Sequence, residues 1–184
     1  MSDILISSGR PTDAECRTAR ELAAYDFLDS LGLHYTRADH APAETMAACE
    51  EIDEKMGLRM CKNLFLCNRQ KTDFYLLLMP GDKPFATKEL SSQLGVARLS
   101  FGSAEDMEAR IGISPGAVSV LGLINDREGR VRLLIDRDLL ERERFGCHPL
   151  VNTSSLGFTT RELLEVVIPA LGHTPTFVEL GKGE

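Results

Sequence analysis

No stretch of this chain stays apolar long enough to cross a bilayer. The longest runs, "FYLLLM" and "VSVLGLI", fall far short of the roughly 20 residues a spanning helix needs, so no membrane association is expected. The opening "MSDILISSGRPTDAE" lacks the basic segment and extended apolar core of a secretion signal, which predicts a cytoplasmic protein. Cysteine is scarce, and its odd number, five, shows no repeated short spacing; reduced thiols are expected rather than a disulfide framework. There is no G-x-x-x-x-G-K-[ST] loop for nucleoside triphosphates and no G-x-G-x-x-G turn for dinucleotides. The four histidines form no H-E-x-x-H pattern, and the Cys61–Cys67 spacing suits no zinc knuckle, so neither metal nor cofactor is expected. With no internal repeat, low-complexity tract or linker, residues 1–184 read as one domain.

What is present is ordinary globular material: 43% hydrophobic and 27% charged residues, enough for a real core. A net charge of −7 argues against indiscriminate binding to DNA or RNA, which depends on neutralising phosphates. The charge is unevenly spread. Between Arg59 and Arg98 seven cations face three anions, a local excess of four on a chain whose remainder carries −11. Such a surface can touch a few phosphates while rejecting long duplexes.

Periodicity and capping signals give the elements. "PTDAECRTARELAAYDFLDSLGL" predicts an N-terminal helix over about 12–32: Thr12 and Glu15 form a capping box, Leu22, Tyr25, Leu28 and Leu31 recur at helical spacing, and Gly32 ends it. "HYTRADH" reads as a short strand ending at His40, and "PAETMAACEEIDEKMG" as a helix stopped by Gly57. "MCKNLFLCN", the turn "RQKTD" and "FYLLLMPGD" predict a β-hairpin. Thr87 and Ser103 are expected to cap two short helices, and Thr160 a final one, "RELLEVVIPALG", followed by a strand at "TFVEL". "SPGAVSVLGLINDREGRVRLLID" predicts two strands about its Asn-Asp-Arg-Glu-Gly turn. The hairpin excludes a purely parallel sheet. The expected fold is α/β in the broad α+β sense: a mixed, mostly antiparallel sheet or partial barrel surrounded by helices.

Three polar features interrupt this apolar pattern. Strand alternation in "RMCKNLFLCN" puts Lys62 in line with Leu64 and Leu66, and Asn63 in line with Phe65. An unpaired charge in such a position is costly. The loop "GISPGAVS", Gly112 to Ser119, can hold a tight turn whose N–H groups point at a carbonyl oxygen or an anion. "HPLVNTSS" offers His148, Asn152 and Thr153 as donors and acceptors. Each has a plain structural explanation too: a snorkelling lysine, a simple turn, and side chains that satisfy backbone groups. Cys147 beside His148 suggests a thiol nucleophile, but neighbours on an extended segment point to opposite faces.

Taken together, "CKNLFLCNRQKTDFYLLLMPGDK", "PGAVSVLGLIND" and "HPLVNTSSLGFTTRELL" resemble, in order, the YbaK and prolyl-tRNA-synthetase-associated editing domains, the free-standing prolyl-tRNA editing proteins above all. The likeness runs from about His34 to near Leu180. It implies a YbaK-like fold and hydrolysis of mischarged Ala-tRNA(Pro) by water, without metal or covalent intermediate. The family's strand lysine falls on Lys62, its glycine-bearing loop on Gly112 to Ser119, and its His-Pro-x-x-Asn-Thr segment on His148, Pro149, Asn152 and Thr153. His40 matches a histidine common before the next helix. The resemblance thus implies catalytic roles for Lys62, Gly112, Gly116, His148 and Asn152, and substrate contacts from His40, Asn63, Pro115, Ala117, Ser119, Val120 and Thr153. The implied partners are the acceptor end of mischarged tRNA for proline and a prolyl-tRNA synthetase. One position departs from the family: its G-x-x-x-P motif begins at Gly116 and ends here on Val120. Because that motif borders the amino-acid pocket, the reaction is implied more firmly than the amino acid. Deacylation of Cys-tRNA is the nearest alternative. A tRNA- or synthetase-binding module without catalysis, and a thiol hydrolase using Cys147, are the readings from other classes.

Overall fold

Two open sheets, packed through their apolar faces and flanked by helices, make up the computed structural model, which describes residues 4–43 and 45–181 and, at Met46, the backbone alone. The first sheet is antiparallel throughout, in the order β1 (Leu5–Ser8), β2 (Thr36–Asp39), β8 (Ser154–Thr159), β7 (Arg144–Cys147). The second runs β5 (Ser100–Phe101), β3 (Cys61–Cys67), β4 (Phe74–Pro80), β6 (Val131–Asp136), β9 (Thr176–Val178). In it β3 is antiparallel to both neighbours, whereas β4–β6 and β6–β9 are parallel. The fold is therefore mixed α/β and mostly antiparallel, as expected, with no closed barrel. Among the described residues no helix is long and apolar enough to cross a membrane.

The hairpin fixes the centre. Every residue of β4 is buried, which explains its unbroken apolar run. Alternation divides it between two cores: Phe74, Leu76 and Leu78 join the main core with Cys61 and Phe65, while Tyr75, Leu77 and Met79 join a second with Leu66 and Leu90. Asn68 closes the turn by accepting the Thr72 and Asp73 N–H groups.

Several boundaries differ from expectation, each for a local reason. Helix α1 spans Ala19–Ser30 and is capped by Thr18, whose hydroxyl accepts the Glu21 N–H; it does not begin at Thr12. Both threonines carry the same Thr-x-x-Glu signal. The chain is extended at Arg17, whose guanidinium ties Asp13, Glu21 and Asp39 together, so the earlier signal yields only a 3₁₀ turn at Ala14–Cys16. Helix α2 (Met46–Met56) ends at Gly57 (φ +62°), as expected. Helix α3 (Thr87–Leu94) takes Thr87 as its first residue and Ala86 as its cap. Helix α4 (Ala104–Ile111) is capped by Ser103. The final helix is capped by Thr159, not Thr160, through a full capping box with Glu162. It widens into a π turn at Leu163–Val167, where the Ile168 N–H reaches Leu163 O; Pro169 next to it has no N–H to offer the regular ladder.

"VSVLGLIN" is not a strand. Val120–Asn125 form a 3₁₀ segment, because Ser119 caps it and Asn125 Nδ2 donates to Ile111 O at 3.0 Å. Gly122 packs so tightly that a Cβ there would lie 2.5 Å from Ile113 Cδ1 and 3.1 Å from Ile111 O. Conversely, "GCHPLVNTSSLGF", for which the sequence predicts no strand, contributes the end of β7 and most of β8. Gly146 and Gly157 face each other across these strands. A Cβ on either would come within 2.6 Å of a Leu58 methyl, so the glycines let the Leu58–Met60 segment cross closely over the sheet. That brings β3 to β7, where Cys61 Sγ donates to Gly146 O at 3.3 Å.

The basic segment is less basic in space than in sequence. Arg59 pairs with Asp82, Lys71 with Asp106, and Lys83 with Asp136 and Asp138; the last three acids lie outside the segment. Among the described residues Arg69, Lys88 and Arg98 form no ion pair. Burial works against the Lys83 charge, but the bonds to Asp136 and Asp138 outweigh it and raise its pKa. Asp136 is fully buried. Lys83→Met would strand that carboxylate, so the variant is expected to lose about 3 kcal/mol in urea unfolding. Adding Asp136→Asn should restore part of the loss; a parent-like midpoint for the single variant would mean the pair contributes nothing.

Candidate active site

Where β2 runs out beside the start of β8, the ladder continues by one bond: the His40 N–H donates to Thr153 O at 3.0 Å. This sets His40 next to the β7–β8 connection, with its ring centroid 6.5 Å from that of His148. Backbone carbonyls assign both tautomers. His40 Nδ1 donates to Ala41 O at 2.8 Å, and its Nε2 accepts the Ser155 hydroxyl at 2.9 Å. His148 Nδ1 donates to Ser154 O at 2.8 Å, which leaves its Nε2 as a lone-pair nitrogen. Burial lowers the His148 pKa from its ordinary 6.5; the nearby His40 adds to the effect and the Ser154 bond opposes it. At pH 7 His148 is therefore a neutral base.

The connection carrying His148 is anchored from below. Leu150 takes φ +62°, a left-handed conformation that costs a branched side chain energy, and is buried in the main core. Pro149 is also buried, while Asn152 and Thr153 are exposed at the tip. The glycine-bearing bend meets this tip: a Cβ placed on Gly116 (φ +89°) would lie 3.8 Å from Asn152 Nδ2. Among the described residues the Gly116 N–H makes no hydrogen bond, so it is available to an incoming oxygen. Pro115 is exposed beside it.

Asn63 approaches from β3. Its Nδ2 donates to Cys61 O and Sγ, both at 3.3 Å, while its Oδ1 is buried and, among the described residues, has no hydrogen-bond partner. A buried acceptor left unsatisfied costs about 1–3 kcal/mol unless a ligand supplies a donor.

Other expected site residues take different places. Gly112 (φ +62°) closes α4, and its N–H is already given to Glu108 O, which removes it as a donor to substrate. Ala117, Ser119 and Val120 are buried. Ser119 caps the 3₁₀ segment and touches the Cys147 thiol. Lys62 lies opposite Met79 in the hairpin register, on the side of the second core, the reverse of the face that carries Asn63. Its ammonium is half-buried and donates to Lys83 O at 2.7 Å, which answers the cost of a charge in that row. Hollows of about 600 and 560 Å³ lie beside Thr36 and Arg144 and beside Gln93 and Phe177. Cys147 is fully buried, and burial pushes its thiol pKa far up, so a thiolate mechanism has no footing. Among the described residues no three His, Cys, Asp or Glu side chains are grouped to hold a metal ion.

Sequence reasoning missed the polar network behind the two histidines. Arg17 grips both oxygens of Asp39 at 2.8 and 3.1 Å and also reaches Glu21. Arg37 Nε adds a third bond to Asp39, and the Ser154 hydroxyl a fourth. Tyr25 OH donates to Glu21 and lies 3.4 Å from Ser154 Oγ. Burial tends to raise the Asp39 carboxyl, but the bonds from Arg17 and Arg37 outweigh it and hold it below the usual range. The only local hint was the charged "RAD" preceding His40.

Comparison with known proteins identifies the family. The model of the family described as "Aminoacyl-tRNA editing domain" matches residues 40–166. The prolyl-tRNA editing protein ProX of Acetoanaerobium sticklandii is 31% identical over 153 residues, covering 83% of this chain and 93% of that protein. A prolyl-tRNA synthetase associated domain-containing protein 1 from Danio rerio is 28% identical, with 83% of each chain covered. Among solved structures, that of a proposed trans-editing enzyme for prolyl tRNA synthetase superposes with a TM-score of 0.68 at 19% identity, over 91% of this chain and 99% of the other, a likeness of fold.

The lowered His148 pKa has a consequence for stability. Above pH 6.5 the imidazole is neutral in both folded and unfolded chains and contributes nothing to the pH dependence. As pH falls below 6.5 the unfolded chain takes the proton first, so stability should drop toward the folded-state pKa. Urea midpoints measured from pH 7.5 to 5 are expected to fall less steeply in His148→Gln than in the parent. Equal slopes would contradict a buried, neutral His148.

Proposed function

This chain belongs to the family of aminoacyl-tRNA editing domains, and we propose that it hydrolyses the ester of mischarged tRNA in trans, with Ala-tRNA(Pro) as its substrate. The need for such a reaction is physical. A synthetase pocket shaped for proline cannot strongly reject a smaller apolar side chain, since each missing methylene is worth only about 1–3 kcal/mol. A second site that destroys what fits it supplies the difference.

One observation carries the reading: a neutral imidazole with its Nε2 lone pair free, fixed from behind and set in the same short connection as Asn152, which meets an unsatisfied glycine N–H. In the proposed reaction His148 Nε2 accepts a hydrogen bond from the attacking water, or from a ribose hydroxyl that holds it. Water oxygen bonds to the ester carbon, the carbon–ribose oxygen bond breaks, and the proton passes to the ribose oxygen. The Gly116 N–H faces the developing oxyanion, Asn152 orients water or ribose, and the orphaned Asn63 Oδ1 accepts from the substrate α-amino group. Lys62 exchanges its bond to Lys83 O for a phosphate of the terminal nucleotide. Gly112, Ser119, Ala117 and Val120 shape the bend from beneath, and His40 and Thr153 brace the connection. The aminoacyl ester is reactive enough to need no side-chain nucleophile. The partners are the tRNA acceptor end and, as supplier of the error, a prolyl-tRNA synthetase.

The test is a multiple-turnover deacylation panel with Ala-, Cys-, Ser- and Pro-charged tRNA for proline. Alanine is expected to be released fastest and proline spared. His148→Ala and Lys62→Ala should each slow release by about 10²-fold. Faster release of cysteine would reassign the substrate; tight binding without any release would make the protein a binding module. Parent rates in either variant would remove that residue from the mechanism.

A further inference from the structure

Phe101 is 60% exposed, although its strand β5 is pinned in place. The next residue, Gly102, donates its N–H to Phe65 O at 2.9 Å, and a Cβ there would strike the Phe65 ring at 2.4 Å. Phe85 meets the Phe101 ring edge to face, with centroids 6.0 Å apart and planes at 69°, which steadies the ring while leaving it open to solvent. The register pairs Phe101 with Leu66, so the ring stands on the Leu66 side of the sheet, the side that also carries Lys62. Leu66 lies four positions along the strand from Lys62, roughly 13 Å.

The exposed cations of the basic segment that form no ion pair among the described residues lie close to this aromatic pair along the chain and in strand register. Arg98 lies three residues before Phe101, and Arg69 two residues beyond Cys67, the partner of Ser100. Lys88 lies three residues after Phe85. All three cations are exposed and, among the described residues, unpaired, whereas Arg59, Lys71 and Lys83 are neutralised. A fixed, exposed aromatic ring on a segment rich in exposed cations suits a single-stranded polynucleotide, since every base has a face to stack and each stack is worth about 1–3 kcal/mol. The acidic remainder of the chain disfavours a duplex lying across it.

We propose that Phe101 is a stacking platform for a base in the unpaired 3′ tail of the RNA, upstream of the terminal nucleotide, with Arg98, Lys88 and Arg69 contacting the flanking phosphates. This rests on the reading of the protein as a tRNA deacylase and adds to it a binding subsite remote from the reacting ester. Phe101 takes no part in the chemistry.

Two readouts separate the subsite from the parent reading. The first is steady-state deacylation of Ala-tRNA(Pro); the second is quenching of 2-aminopurine placed in the unpaired tail of an uncharged acceptor-stem RNA. Phe101→Leu is expected to raise KM about tenfold with kcat unchanged and to abolish quenching, while Phe101→Tyr keeps both near the parent. Parent-like KM and quenching in Phe101→Leu overturn the platform and leave the deacylase intact. Quenching that depends on an aromatic residue at 101, in a protein that deacylates nothing, supports the platform and overturns the deacylase.

Discussion

The hydrogen bond from His148 Nδ1 to the Ser154 carbonyl decides what this surface can do. Without it the ring could turn, or carry its proton on the outward nitrogen, and would offer a donor where the proposed reaction uses an acceptor. The carbonyl is itself held. Ser154 begins β8, pairs with Asp39 across to β2, and gives its hydroxyl to the same Asp39 that Arg17 and Arg37 grip. A partly buried charge network, costly to assemble and more costly to break, is thus turned to holding one neutral imidazole. Helix α1 takes part because Thr18 starts it late enough for Arg17 to remain extended and reach Asp39.

Close approach of backbones does the rest. Gly146 and Gly157 leave room for the Leu58–Met60 segment, so β3 arrives against β7 and Asn63 lies two residues along from Cys61, which touches Gly146 directly. Gly116 meets Asn152 on the other flank. The arrangement divides labour across β3: the side bearing Asn63 belongs with the histidine connection, and the side bearing Lys62 opens toward the aromatic pair Phe85–Phe101. In the proposed reaction a substrate end reaching both passes around the start of that strand.

Features set by neighbours in sequence were legible in it: the Gly57 and Ser103 helix boundaries, the hairpin, the strand ending at His40, and the face that Lys62 occupies. Features set by distant partners were not. Thr12 and Thr18 carry identical signals, and only Asp39, 22 residues beyond Arg17, favours the second. "VSVLGLIN" has the composition of a strand, yet its Gly122 is driven against Ile111 and Ile113 and its Asn125 is drawn to the end of α4. β8 hid because its serines and glycine look like loop, although Ser154 and Ser155 are buried and hydrogen-bonded to Asp39 and His40. A charge count along the chain likewise could not tell Lys83, spent on Asp136, from Arg98, which forms no ion pair among the described residues. The approach of Gly116 to Asn152, the donor state of Gly112 and the surroundings of Lys62 needed coordinates.

Nitrogen-15 NMR of histidine-labelled protein, titrated across neutral pH, tests the central claim most directly. The account predicts that His148 carries its proton on Nδ1, leaves Nε2 unprotonated, and titrates below 6.5. A proton on Nε2 at neutral pH, or a titration above that value, would contradict it.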